Sequence, residues 1–173
     1  MAEKKEIHFD EDGYDAVTSA LKELLNQFPL LDGDKITFSS LGETKGISFF
    51  PVSGAIIELQ RKTITGKIYE ICQYPFFVVY RASGLNESRR AKIKEWLDSL
   101  GKWLEQKEIE QDGQSYRLEE YPLLTENRVI DSIRRNTPAY LDNTNEDKSE
   151  DWVINLSARY KYEYSSNLSG YLF

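Results

Sequence analysis

At 173 residues the chain is long enough for one domain with a hydrophobic core of its own. Hydrophobic residues make up 40% and charged residues 29%, which excludes a disordered chain. A net charge of -7 argues against a general nucleic-acid binder held by phosphate neutralisation, and a single cysteine, Cys72, excludes an intrachain disulfide and a thiolate metal cluster. No apolar run approaches the length that spans a bilayer, and "MAEKKEIHFDEDG" has charges with no hydrophobic stretch behind them. A cytoplasmic chain without a signal peptide is the expectation.

The first helix reads "DGYDAVTSALKELLNQF". Tyr14, Val17, Leu21, Leu24, Leu25 and Phe28 recur at helical spacing, Asp10 or Asp12 can cap the amino end, and Pro29 stops the helix. "DGDKITF" then gives a turn and a short strand with Ile36 and Phe38 on one side. The β-rich middle predicts strands over residues 47–50, 55–62 and 67–81, with Gly66 turning an antiparallel hairpin. Pro75 cannot donate to a ladder, so the third of these strands is expected to be bent, bulged or at an edge there.

The second helix is "NESRRAKIKEWLDSLGKWLEQ", capped by Asn86, with Ile93, Trp96, Leu97, Leu100 and Leu104 as its buried stripe. "EIEQDGQSYRL" predicts a small hairpin turning at Asp112 and Gly113, and "NRVIDSIRRN" a further strand. Residues 142–151 read as a flexible, polar, acidic loop. The chain closes on "DWVINLSARYKYEY", where Trp152, Ile154, Leu156, Ala158, Tyr160, Tyr162 and Tyr164 fall on every second position. That strand would run roughly 40 Å, far beyond the usual five or six residues. Helices and strands do not alternate regularly, so the expected fold is a single α+β domain over 1–173: a mostly antiparallel sheet, two main helices packed on one face, and a long C-terminal strand.

Three patterns invite chemistry. "HFDEDG" matches H-x-x-x-D-G, which resembles the active-site signature of chloramphenicol acetyltransferase-type acyltransferases. In that family the motif sits late in a longer chain, whereas here it lies at the start, and His8 is the only histidine. Asp10, Asp12 and Asp15 hint at a calcium loop but lack the EF-hand spacing and its closing glutamate. Cys72 lies in an apolar strand with no histidine nearby to activate it, so it reads as a core thiol. Helix capping explains the acidic start more simply, and no catalytic, cofactor or metal residue is assigned.

Two charged features remain. Asp142, Glu146, Asp147, Glu150 and Asp151 face Lys148 alone within ten residues, while Arg89, Arg90, Lys92 and Lys94 crowd the first turns of the second helix, against its dipole. Each is either a solvated face or a patch that meets a partner of opposite sign.

"ISFFPVSGAIIE" and "ICQYPFFVVYRASGLNESRRAKIKEWLDSLGKWLE", within residues 47–105, resemble proteins from the morphogenesis clusters of phages and prophages of Gram-positive bacteria, described as tail terminators or minor structural proteins. The element order is also similar to that of lambda-like tail terminators, and the sequence departs from the family in the hairpin near Gly113 and in the acidic loop. The resemblance implies a virion structural protein, not an enzyme, assembled in the host cytoplasm. It implies a homo-oligomeric ring, usually hexameric, that caps the tail tube, stops its polymerisation and docks to the head connector while DNA passes through the lumen. On that reading the acidic loop meets a partner or lines the lumen, where carboxylates would repel phosphates. Arg89, Arg90, Tyr160, Tyr162 and Tyr164 would then lie between subunits. The last strand would share itself between its own sheet and a neighbour, or lie wholly inside one subunit with its tyrosines under the helices. A phage neck or baseplate adaptor, and an acetyltransferase acting through His8, are the competing readings.

Overall fold

The computed structural model describes residues 6–125 and 127–165; the charged start before residue 6 lies outside them. In chain order they form β1 (His8–Phe9), α1 (Glu11–Leu25), β2 (Ile36–Phe38), β3 (Gly46–Pro51), β4 (Ile56–Lys62), β5 (Lys67–Ala82), α2 (Glu87–Leu104), β6 (Ile109–Gln111), β7 (Gln114–Tyr116), β8 (Arg128–Arg135), β9 (Tyr140–Thr144) and β10 (Glu150–Ser165). The fold is α+β: both helices pack on one face of a largely antiparallel sheet that contains the long last strand.

The sheet is built on a spine of two equal strands. β5 and β10 are each 16 residues long and pair antiparallel from Lys67↔Ser165 to Ala82↔Glu150 without a break in register. Each outer flank of this spine is split between two shorter strands. Beside β5, β3 covers Phe76 to Arg81 and β4 covers Ile68 to Gln73. Beside β10, β9 covers Glu150 to Val153 and β8 covers Leu156 to Tyr162. β10 is therefore long because β5 is, and all of it is paired within one subunit.

Pro75 sits where the flank passes from β3 to β4. Its carbonyl accepts a hydrogen bond from Val52 N (3.0 Å), so its nitrogen points into that gap, and the missing N–H costs the sheet no ladder bond.

The helices cap as their sequences dictate. Asp10 accepts from Gly13 N and Asn86 from Arg89 N, each satisfying an orphan donor of the first turn. α1 ends at Leu25, a turn before Pro29, where Asn26 both donates to the Lys22 and Ile36 carbonyls and accepts from Ile36 N. Phe28 then wedges edge-on against Trp96 and Trp103 of α2, with ring centroids 5.3 and 5.4 Å apart. Trp96 donates to the Leu30 carbonyl (2.7 Å) and so ties α2 to the segment after α1. Leu21, Leu24, Leu25, Leu97, Leu100 and Leu104 meet Phe76, Val78, Ile154 and Leu156 in one continuous core. Each such side chain contributes roughly 1.5–3 kcal/mol by leaving water.

One stretch differs from its expectation, and two further pairings were not anticipated. The stretch 142–151 is not a loop: it is the end of β9, a tight turn over 145–149, and the start of β10. Asn145 N to Ser149 O (2.8 Å), Lys148 N to Asn145 O (2.9 Å) and Ser149 Oγ to Asp147 Oδ1 (2.6 Å) close the turn, so its polar composition reflects turn chemistry. β2 runs parallel to β3, although they are close in sequence. β1 adds two residues to the edge of β4 and carries the chain into α1, with Asp10 N donating to Ala55 O (2.8 Å). The hairpin of β6 and β7 turns at Asp112 and Gly113, both at positive φ as a tight primed turn requires.

Candidate protein interface

Alternation along the spine sorts its side chains between two faces. Even-numbered residues such as Cys72, Tyr74, Phe76, Val78, Ile154, Leu156, Ala158 and Tyr160 face the helices and are buried. Odd-numbered residues face the side that carries no helix. Toward the Glu150 end this second face is partly covered, and Val79 and Val153 are buried there. Toward the Ser165 end it is open.

At that open end, register aligns side chains from four strands into two cross-sheet rows. Leu59, Ile71, Lys161 and Val129 lie opposite one another across β4, β5, β10 and β8. Arg61, Tyr69 and Glu163 form the next row. Together with Lys62 they line a groove of about 880 Å³. Leu59 is 40%, Tyr69 41% and Val129 57% exposed. Scattered exposed apolar residues are ordinary; a row of them in one concavity, rimmed by charge, has the composition of a protein contact. The cations are unequally committed. Lys67 bonds Glu163 at 2.9 Å and Lys161 lies 3.7 Å from Asp131, while Arg61 and Lys62 face solvent.

Beneath this end, on the helix side, lies a buried polar cluster that the sequence reading did not anticipate. Arg128 Nε and Nη2 donate to the two oxygens of Asp10 at 2.9 and 2.8 Å. Tyr160 donates its hydroxyl to Asp10 Oδ2 at 2.7 Å, and the Arg128 guanidinium lies 3.7 Å from the centroid of the Tyr162 ring. Burial alone would raise the Asp10 pKa; hydrogen bonds from Arg128, Tyr160 and Gly13, with the Arg128 charge, outweigh it and hold the carboxyl below its ordinary value. Tyr160 moves the opposite way, pushed up by burial and by donating to a carboxylate. Tyr162 stacks on Tyr164, whose hydroxyl donates to Glu70 at 2.8 Å. Burial, then that bond to Glu70, push the Tyr164 hydroxyl up to about 12.

Burial corrects the assignment of Tyr160 to a subunit contact, while Tyr162 and Tyr164 keep part of their surface open. Tyr160 has no exposed surface and belongs to the subunit's own core, because its position on β10 faces the helices. Tyr162 and Tyr164 are half-buried on the same side and engage Arg128 and Glu70 of their own chain. By alternation the β10 side chains that face the groove are Lys161 and Glu163, and Tyr162 between them also lines it.

The two charged patches read from the sequence meet each other. Arg90 reaches across to Glu150, Nη2 to Oε2 at 2.7 Å, and Arg81 forks onto Asp151 at 2.7 and 2.9 Å. The Arg90 pair lowers the Glu150 pKa against the opposing effect of burial. Arg90, Glu150 and Asp151 are thus engaged inside the subunit. Arg89 remains exposed at the start of α2, and Asp142, Glu146 and Asp147 remain exposed on the β9–β10 hairpin.

His8 sits on the short edge strand β1 with its side chain 68% exposed, and its charged neighbour is Glu6 at 4.0 Å. Cys72 is buried at the centre of β5, where desolvation pushes its thiol up to about 12, a condition opposite to that of an activated nucleophile. Among the described residues no group of three or more acidic, histidine or cysteine side chains is arranged to hold a metal ion. Compared with known proteins, the chain matches no family model, and no curated protein is similar enough to count as a relative.

Proposed function

We infer that this protein is a structural subunit of a phage tail, a tail terminator that assembles into a homo-oligomeric ring, caps the tail tube and docks to the head connector. The observation that carries this reading is the open end of the helix-free sheet face, where Leu59, Tyr69 and Val129 share one concavity with Arg61 and Lys62. A subunit that works by contact needs such a surface, and its mix of apolar centre and charged rim suits association with another folded protein. The resemblance of residues 47–105 to phage tail proteins is the ground for choosing this class of assembly, and the net charge of -7 suits a lumen through which DNA slides without adhering. A hexamer is the number that the likeness implies.

The test is microscopy of the purified protein, alone and with its tail tube protein. Closed rings, and tubes capped and limited in length when the protein is added, are the expected results. A protein that stays monomeric at high concentration and leaves tube growth unaltered would instead be a neck or baseplate adaptor. Acetyl transfer from acetyl-CoA that His8→Ala abolishes would replace both readings with the enzyme one.

A further inference from the structure

We propose that the two ends of the β5–β10 spine are complementary and dock on each other between copies: the acidic β9–β10 hairpin of one subunit enters the groove of the next. The proposal rests on the ring reading for closure of the chain of contacts, but the contact itself is argued from the surfaces.

The groove offers an apolar floor of Leu59, Ile71 and Val129 beside Tyr69, with Arg61 and Lys161 on the same face, Lys62 at the rim, and Glu163 held by Lys67. The hairpin offers the matching set. Tyr140 and Leu141 on β9 are 38% and 43% exposed, and Asp142 and Glu146 follow them into the solvent. Glu150 and Asp151, at the base of the hairpin, are held by Arg90 and Arg81. Those two bridges fix the hairpin to the body of the subunit and leave Asp142 and Glu146 as the carboxylates presented outward. Asp147 accepts from Ser149 N and Oγ, which lowers its pKa and keeps it ionised alongside them.

Position makes the contact intermolecular. The hairpin follows from Glu150 and the groove lies by Lys161 and Glu163, near opposite ends of a 16-residue strand about 50 Å long. No subunit can place its hairpin in its own groove. A contact between unlike surfaces at opposite ends is heterologous, so repetition gives a closed ring or an open filament according to the rotation per step. The opposite charges also orient the approach: groove to groove and hairpin to hairpin encounters juxtapose like charges and are disfavoured.

The experiment uses the full chain and three variants: Arg61→Glu with Lys62→Glu, Asp142→Lys with Glu146→Lys, and all four changes together. Circular dichroism establishes that each is folded, which surface substitutions permit, and light scattering after size-exclusion chromatography measures association across concentration and salt. Wild type should associate, more weakly as salt rises. Each double variant should lose association about tenfold or more, and the fourfold variant, with its charges exchanged, should regain it. An equimolar mixture of the two double variants should also regain association, in alternating order, because the acidic groove of one accepts the basic hairpin of the other and the unchanged groove of the second accepts the unchanged hairpin of the first. Association that is unaffected by the double variants, or not regained in the fourfold variant, overturns this contact. If wild type still forms rings in that case, the ring reading stands without it; a wild type that never associates removes both.

Discussion

Asp10 and Arg128 meet across 118 residues of sequence, through two hydrogen bonds of 2.9 and 2.8 Å, with their side chains only 7% and 2% exposed. One carboxylate thereby caps α1, anchors β8 and receives the hydroxyl of Tyr160 from β10. A buried pair of this kind is a weak source of net stability, yet removing one member of it is costly. Asp10→Ala should therefore cost about 3–5 kcal/mol, more than the roughly 1 kcal/mol of a lost helix cap. Urea denaturation measures the difference, and a loss no larger than that of a helix cap would show that the Asp10–Arg128 pair adds little.

The same carboxyl sets a pH dependence. Its folded pKa lies below the ordinary value of 3.8, so its stabilising contribution is present above that value and is lost as pH falls through the folded pKa. Wild type should thus lose stability on acidification below the ordinary carboxylate range. Asp10→Asn, which has no proton to take up there, should show a shallower slope over that window in pH-dependent melting.

Gly13, in the first turn of α1, is held to glycine by this cluster. A Cβ there would overlap the Asp10 carboxylate and the Tyr160 hydroxyl. Alanine ordinarily stabilises a helix interior relative to glycine by about 0.5–1 kcal/mol. Gly13→Ala should reverse that sign and destabilise by about 1–3 kcal/mol, since the neighbours it meets are themselves buried and bonded. A raised melting temperature in this variant would mean that the cluster yields easily.

Tyr160 and Leu156 should now respond alike to damage, because both are fully buried on the helix side of β10. Leu156→Asp and Tyr160→Asp should each give insoluble or unfolded protein. Tyr160→Phe is the more informative change. It keeps the ring but deprives Asp10 of a donor, so it should cost roughly 1.5–3 kcal/mol and leave association untouched. A Tyr160→Phe protein of normal stability and weakened association would return this residue to the subunit contact.

Arg89 and Arg90 should separate. Arg90→Glu places a carboxylate against Glu150, which Arg90 otherwise contacts at 2.7 Å, and should lower the melting temperature. Arg89→Glu changes an exposed position next to the Asn86 cap and should leave it nearly unchanged. Equal effects of the two substitutions in thermal melts would deny the Arg90–Glu150 bridge a structural role.

Local rules made much of the fold readable in the sequence. The helical stripes from Tyr14 to Phe28 and from Ile93 to Leu104, the caps at Asp10 and Asn86, and the turns at Gly66 and Gly113 depend on interactions between residues a few positions apart, so composition and spacing carry them. The period of two in "DWVINLSARYKYEY" likewise identified a long strand. What it left open was which long-range partner each face meets. Tyr160 and Trp152 fall on the same alternation, and nothing local distinguishes a tyrosine under a helix from one against another subunit. Pairing of β10 with β5 over 16 residues placed Tyr160 under α1, and the β10–β8 register brought Arg128 to the same place. Register also assembled the Leu59, Ile71, Lys161 and Val129 row from four separate strands, and joined Arg90 to Glu150, which the sequence presents as two unrelated patches of charge. Strand pairing and ion pairing act between residues tens of positions apart, and a side chain carries no local mark of the partner that the closed sheet will set opposite it.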